Sequence, residues 1–278
     1  MAATFALLCA LAYGTSDFIA GVASRRSTAT VVTAGAQMVG LATAVVAVFL
    51  FPGVGPRWGA LEWGALSGLG NAAGTLALYQ GFAVARMTTV ATVSAVLSAA
   101  VPVLVGVFLG NRLGVLAWVG IAVALPAIVM VSWRSDGSSQ SSNWKGAVYG
   151  TTAGLAFALL FVSLDRAGTR SGAWPIVAGE FVSVLPILPL AIRSTRATGA
   201  PSGAVVRLIL AAGVLAGTAN LLFLAATGHG ALAIVAVLAA LYPAVTVVLA
   251  RAFLAEYWTR LQAVGLAVAV VAIVLVTT

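Results

Sequence analysis

The sequence has 278 residues, of which 62% are hydrophobic and 7% are charged, and its mean hydropathy is +1.12. These values exclude an ordinary soluble globular domain and indicate a chain whose solvent is lipid. The net charge of +8 would suggest a nucleic-acid partner in a soluble protein, but here the basic residues stand singly or in pairs at the ends of apolar stretches. We therefore predict no nucleic-acid partner. The single cysteine, Cys9, excludes a disulfide framework within the chain and a thiol cluster for metal.

Ten apolar runs follow one another along the chain, each close to the 20 or so residues that a helix needs to cross a bilayer core of about 30 Å. They lie near 4–23, 30–51, 62–84, 88–109, 114–133, 145–164, 174–192, 207–228, 232–253 and 261–277. Because the runs are continuously apolar, they favour helices over barrel strands, which would alternate over about ten residues. The sequence therefore predicts an all-α integral membrane protein with ten transmembrane helices.

A long internal repeat organises these helices. Residues 95–131 recur near the end of the chain as 236–276, and the match places Pro102 and Pro243 at equivalent positions, 141 residues apart. A repeat of this length should be recognised before any single motif, because it indicates the architecture of the whole chain.

The repeat predicts two homologous halves, 1–133 and 145–278, joined by a polar linker at 134–144. A weaker match, of 11–13 with 155–157, extends the repeat toward the N-terminus. Five helices per half is an odd number, so the second half must enter the membrane in the opposite sense. Inverted repeats are typical of secondary transporters, in which the substrate site lies near the membrane midplane between the halves.

Other classes of function have less support in the sequence. An enzyme acting on lipid would need a His, Asp and Glu cluster, a Ser-His pair or metal-ligand spacing, and we find none. We therefore predict no enzymatic activity, no cofactor and no metal. A structural or assembly protein that transports nothing remains an open alternative.

Two short motifs occur once in each half. Ala-x-Leu-x-x-x-x-Pro lies at 95–102 and at 236–243, and Val-Gly-hydrophobic-Ala-Val lies at 119–123 and at 264–268. With ten helices in two five-helix halves, the whole chain resembles the ten-helix EamA type of the drug/metabolite transporter superfamily.

The resemblance implies a carrier driven by protons or another gradient, often an exporter of amino acids, other metabolites or toxic organic compounds. It also implies a multi-pass protein of the cell inner (plasma) membrane with both termini in the cytoplasm. Members of the family usually have a Gly-Glu pair after the fourth and ninth helices. This chain has Gly110-Asn111 and Ala255-Glu256 there.

The distribution of basic residues predicts the opposite orientation. With a cytoplasmic N-terminus, four basic residues would lie on the cytoplasmic side, Arg57, Arg112, Arg166 and Arg170, and the other ten would lie outside. The positive-inside rule places the excess of Lys and Arg in the cytoplasm. The charge count therefore contradicts the orientation that the resemblance implies.

Two carboxyl groups lie well inside apolar runs, Asp17 in the first run and Glu180 in the seventh. A charged side chain at the centre of a span costs about 2.5–3.5 kcal/mol on insertion scales and suggests a function by default. Removed from water, a carboxyl group can take up and release protons near neutral pH, so both are candidates for proton coupling. Each has a structural alternative: Asp17 could be solvated or paired with Arg25 or Arg26, and Glu180 could make an inter-helix hydrogen bond.

Polar and aromatic residues at helical spacing predict the lining of a cavity. In the third run, Asn71, Thr75 and Tyr79 fall on one face, which must avoid lipid because an amide in hydrocarbon would be unsatisfied. Polar packing between helices is the alternative. The predicted substrate-binding residues are Tyr13, Asn71, Tyr79, Gln80, Asn220, Phe223 and Tyr242.

Pro102 and Pro243 interrupt the helical hydrogen bonds at repeat-related sites, and we predict that they act in gating. A static kink tolerated by neighbouring helices is the alternative.

The predicted lining has aromatic surface and neutral polar groups but no fixed cation, which favours small neutral or zwitterionic organic metabolites such as amino acids. A multidrug or lipophilic-cation efflux carrier is the alternative, with the cation held over Tyr13 or Tyr79 and Asp17 as its counter-charge. The expected partners are a small-molecule substrate and the lipid bilayer, and the chain is expected to act as a monomer or homodimer.

Overall fold

Helices make up almost all of the described chain, as the hydropathy pattern predicts. The computed structural model describes residues 1–85, 87–108, 110, 114–132, 140–254 and 260–277, and among these there is no strand. The helices are α1 (Ala2–Ser24), α2 (Ala29–Leu50), α3 (Trp58–Val84), α4 (Met87–Phe108), α5 (Val115–Ser132), α6 (Gln140–Ala167), α7 (Trp174–Thr198), α8 (Gly203–Thr227), α9 (Leu232–Ala239), α10 (Tyr242–Leu254) and α11 (Arg260–Thr277). The predicted all-α class is confirmed.

Five of the helices, α1, α2, α6, α7 and α8, are long and apolar enough to span a bilayer by length and composition. Within the described residues, shorter apolar stretches occur in α4, α5, α9 with α10, and α11. Helix α3 is long enough at 27 residues, but it contains the predicted polar stripe. Loop chemistry sets the ends: Gly199, at φ 86°, follows α7, and the Ser202 hydroxyl accepts the Val205 N–H at the start of α8 (3.5 Å).

The two halves pack as inverted repeats. Helices α1 to α3 correspond to α6 to α8, α4 corresponds to α9 with α10, and α5 corresponds to α11. Helix α1 packs on α8 as its mate α6 packs on α3, and α2 packs on α8 as its mate α7 packs on α3. The mates α2 and α7, and likewise α5 and α11, contact each other directly. Each of these contacts therefore has a repeat-related counterpart or joins two mates, as a twofold axis between the halves requires.

The ninth predicted run is interrupted by a turn, which the sequence does not predict; the number of predicted spans is unchanged. Helix α9 ends at Ala239, a turn follows at Ala240 and Leu241, and α10 starts at Tyr242. Pro243 has no N–H to donate to the carbonyl of Ala239, and its ring clashes with that carbonyl in a straight helix. Its mate Pro102 lies inside α4, which is continuous.

One end of the bundle, which we call the termini face, contains residue 1 and the loops 51–57, 168–173 and 228–231. The two halves are joined there by backbone hydrogen bonds from Val54 N to Arg170 O (2.9 Å) and from Ala173 N to Phe51 O (3.1 Å). Gly53 and Gly172 lie at this crossing with φ of 58° and 57°, and a Cβ on either would meet the backbone of the other loop. The opposite face contains the loops 25–28 and 199–202.

Some sequence predictions fall on residues outside the described part of the chain. Asn111 and the pair Ala255-Glu256 are among them, as are residues 133–139 of the connection between the halves. Helix α6 begins at Gln140, so the last five residues of the predicted linker are helical.

Candidate functional site

A cavity lies between the halves in the middle of the bundle. Its volume is about 560 Å³, including the open space at its mouth. It is lined by residues from seven helices, α1, α2, α3, α6, α7, α8 and α10. These residues are Tyr13, Ser16, Asp17, Ala36, Gln37, Asn71, Thr75, Tyr79, Phe157, Phe161, Glu180, Ala216 and Tyr242.

The cavity brings together most of the residues that the sequence singles out. Four predicted substrate-binding residues line it, Tyr13, Asn71, Tyr79 and Tyr242, together with both candidate coupling acids, Asp17 and Glu180. Whether these side chains contact a substrate stays a prediction.

Three predicted substrate-binding residues are not part of the lining. Asn220 lies behind Glu180, and Gln80 is half-buried elsewhere on α3. Phe223 is fully buried and stacks on Phe161, with ring centroids 4.4 Å apart. It therefore supports a lining residue from behind.

Sequence reasoning missed Phe157, Phe161 and Gln37, although the repeat contained the signal. Phe157 and Phe161 lie 144 residues after Tyr13 and Asp17, and Gln37 is the repeat mate of Glu180. Since a twofold axis passes between the halves, the mate of a lining residue is itself expected to approach the same cavity.

Glu180 is held by two asparagines. Its side chain is 3% exposed, and its Oε1 accepts from Asn220 Nδ2 at 2.8 Å, while Asn71 Nδ2 lies 3.3 Å from both carboxyl oxygens. The two asparagine oxygens accept from hydroxyls, that of Asn71 from Thr75 (3.1 Å) and that of Asn220 from Tyr13. Because hydroxyl donors occupy both amide oxygens, both amide nitrogens turn toward Glu180.

This network joins the two halves. Tyr13 and Asn71 belong to the first half, and Glu180 and Asn220 belong to the second. An ionised carboxyl accepts at both oxygens, whereas a protonated one has a hydrogen to place and less capacity to accept. A change in the charge of Glu180 would therefore change the hydrogen bonds that join the two halves. Gly40 makes room for it, since a Cβ there would lie only 3.2 Å from the carboxyl carbon.

Asp17 is in a different situation. It lines the cavity from α1, four residues and about one helical turn beyond Tyr13. With the described residues it makes no hydrogen bond and no ion pair, and Arg25 and Arg26 stand exposed at the end of the helix. Its carboxyl group is left open to the cavity.

Two further polar groups in the lining have no partner. Gln37 is 4% exposed, and neither its amide oxygen nor its amide nitrogen has a hydrogen-bond partner in the described part of the chain. The hydroxyl of Tyr242, at the start of α10, is also buried without a hydrogen bond of ordinary geometry there, although Ser94 is a neighbour. Groups of this kind usually bind water or a ligand.

No Lys, Arg or His belongs to the described lining, which holds two carboxyl groups, three tyrosines and two phenylalanines. An arrangement of acids among aromatic rings attracts cations and repels anions. A smaller cavity of about 170 Å³ lies on the other side of Glu180, between α3, α6, α7 and α8. Glu180 and Asn71 border both cavities.

Comparisons with known proteins agree on the type of fold. One solved crystal structure, described simply as "Crystal structure of protein", aligns over 97% of this chain and 98% of its own, with a TM-score of 0.71 and 18% sequence identity. At that identity the similarity concerns the fold alone. A search of curated proteins finds no significant sequence match.

The sequence model of the EamA-like transporter family matches residues 144–278, which correspond to the second five-helix half. The match is to a family of membrane transporters of small substrates, so it supports a multi-pass membrane carrier over an enzyme. The match over residues 144–278 confirms the resemblance of the chain to the drug/metabolite transporter superfamily.

Proposed function

We propose that the chain is a proton-coupled exporter of small organic molecules that combine an amine with an aromatic or aliphatic part, such as amino acids and their derivatives. The family supports the coarser function, transport of small substrates across a membrane. The substrate class, the coupling ion and the direction are the proposal.

The observation that supports it best is the open carboxyl group of Asp17 in an aromatic cavity with no base in its described lining. An ammonium group is the natural partner of such a carboxylate, and the rings of Tyr13 and Tyr79 can stabilise the same cation. Phe157 and Phe161 offer apolar surface for the rest of the molecule.

Competition at Asp17 supplies the coupling. A carboxylate that binds a proton loses the charge that holds an ammonium group, so proton and amine exclude each other. If the cavity faces the two sides of the membrane in turn, the inward proton gradient then drives the amine outward. Glu180 remains the second candidate for coupling, since its charge bears on the contact between the halves.

A lipophilic-cation efflux carrier is the second candidate function, and the same acidic, aromatic lining favours it. The two differ in whether the substrate needs an uncharged or anionic polar group beside its cation. Counterflow separates them: exchange driven by neutral amino acids supports the first, and exchange driven by quaternary amines supports the second. Preferential exchange of phosphorylated or dicarboxylate solutes would contradict both.

The test uses the full chain in proteoliposomes with an imposed pH gradient. We expect Asp17→Asn to abolish uphill accumulation of radiolabelled amines, because the amide can hydrogen-bond but cannot titrate. Binding to the wild type should weaken as the pH falls, because protonation removes the charge of Asp17, and this pH dependence should disappear in the variant.

Asp165→Asn is the matched control, since this carboxyl lies near the end of α6 and outside the cavity lining. It should transport like the wild type. If Asp17→Asn and Glu180→Gln each still accumulate substrate against a gradient, neither group couples transport to protons. If no solute of a broad panel moves, the structural or assembly alternative stands.

The remaining parts of the proposal are the plasma membrane as location, cytoplasmic termini, and the division into 1–133 and 145–278 with a linker at 134–144. A monomer and a homodimer both stay compatible with the fold.

A further inference from the structure

We propose that Gln37 binds the substrate, and that it selects molecules carrying a polar group that donates and accepts hydrogen bonds side by side, as a carboxamide does. This inference rests on the proposed function, because it assumes that the cavity holds an amine at Asp17. It adds a second recognition point on another helix, α2.

The first step is the isolation of the Gln37 amide. The side chain is 4% exposed, it lines the cavity, and both of its polar atoms lack a partner in the described part of the chain. Exchanging the oxygen and nitrogen positions by rotating the amide would not help, since neither position has a partner. A buried polar group left unpaired destabilises the fold, so we expect the Gln37 amide to bind a partner inside the cavity.

The second step is the contrast with its repeat mate. Glu180 occupies the equivalent place in the second half and is held by Asn71 and Asn220. Gln37 has no such support from the described residues, which neither fix its amide nor satisfy it. Its hydrogen-bonding capacity is left for something inside the cavity.

The third step is chemical. A primary amide presents a donor and an acceptor in one plane, and a group with an adjacent acceptor and donor satisfies both at once. A carboxamide does this without adding negative charge. A carboxylate can only accept, so it would pair with the Gln37 NH₂ and leave the Gln37 carbonyl oxygen without a donor. We therefore expect a zwitterionic amino acid to bind at Gln37 less well than its amide.

The test compares three compounds that share an amine and a phenyl ring: phenylalaninamide, phenylalanine methyl ester and phenethylamine. Binding to the purified full chain in lipid nanodiscs is measured by calorimetry. We expect the wild type to prefer phenylalaninamide over the other two. Gln37→Leu and Gln37→Met should each reduce its affinity about tenfold, the loss of about 1.4 kcal/mol that a pair of hydrogen bonds represents. The affinity for phenethylamine, which has neither an amide nor an ester group, should change much less.

Thr152→Val is the control, because it removes a hydrogen-bonding group from an exposed position on α6 outside the cavity lining. It should retain the preference for the amide. Circular dichroism on each variant establishes that it is folded. Two replacements of Gln37 are used so that the test can proceed if one of them does not fold.

Several outcomes would overturn the inference. Unchanged affinities in both Gln37 variants would show that water satisfies the amide, and an equal loss for all three compounds in folded protein would show a structural role. A wild type that binds all three equally well would remove the selectivity itself. If none of the three binds to the wild type, the amine proposal fails as well, whereas loss of binding in Asp17→Asn with no effect at Gln37 leaves that proposal standing.

Discussion

Asp17 and Glu180 both carry a carboxyl group, but they differ in the hydrogen bonds that these groups receive. Glu180 receives hydrogen bonds from Asn71 and Asn220, while the carboxyl of Asp17 has no partner among the described residues. The sequence predicts both as buried acids because the cost of placing a charge in a span is visible from hydropathy. It does not distinguish their roles, because the partners of Glu180 lie 109 and 40 residues away along the chain.

This difference predicts that amide substitution lowers the stability of the protein at Glu180 and not at Asp17. We expect Glu180→Gln to reduce the free energy of unfolding by about 1–3 kcal/mol, because an amide NH₂ in place of Oε2 would face the NH₂ group of Asn71. Asp17→Asn should leave stability nearly unchanged, because no hydrogen bond to the described chain is lost. Thermal unfolding of both variants in the same detergent measures the contrast. Equal melting temperatures would mean that the asparagine network does not stabilise the fold.

The site shows the same limits of prediction. Asn71 and Tyr79 share one face of α3 because a helix repeats every 3.6 residues, and both line the cavity. Phe223 was assigned to the lining on the same logic, but Phe161 lies between it and the cavity. Which of two stacked rings is in front depends on packing between helices, and one sequence does not contain that information.

At the scale of the elements, hydropathy located the spans well because each must cover a similar thickness of hydrocarbon. Hydropathy does not predict the turn inside the ninth span, which separates α9 from α10. The prolines give no warning of the difference, since Pro102 and Pro243 occupy equivalent positions and only the second lies at a break. Whether a helix continues past a proline depends on whether neighbouring helices satisfy the backbone groups that the proline leaves unpaired.

We predict that Pro243→Ala slows transport more than Pro102→Ala. Alanine restores a backbone N–H able to bond to the carbonyl of Ala239, so the variant should favour one continuous helix and resist movement at Tyr242. Initial rates of counterflow in proteoliposomes measure the effect, with binding affinity recorded in parallel. Equal rates for the two variants would show that the break is a static feature of the fold.

At the scale of the whole molecule, the family resemblance and the charge count predict opposite orientations in the membrane. The ten spans bring both termini to one face, and the family resemblance implies that this face is cytoplasmic. The charge count predicts the reverse, because the predicted spans assign only four of the 14 basic residues to that face. The two halves are nearly symmetric about the membrane plane, so the fold itself favours neither direction.

Single-cysteine labelling decides between them. In a Cys9→Ala background, Pro56→Cys places a thiol on the termini face and Ala200→Cys places one on the opposite face, both at exposed positions. Following the family, we expect an impermeant maleimide to label intact cells through Ala200→Cys and not through Pro56→Cys. The reverse pattern would show that the positive-inside rule governs this chain.

The repeat pairs in the cavity have a consequence for how a molecule sits there. Tyr13 corresponds to Phe157, Asp17 to Phe161, and Gln37 to Glu180, so each pair combines two different chemistries. A dimer of identical halves would offer a bound molecule two equivalent poses, head to one subunit or to the other. Gene duplication followed by divergence removes that degeneracy, so a substrate with distinct ends has a single preferred direction in the cavity and leaves it with the same end leading on every cycle.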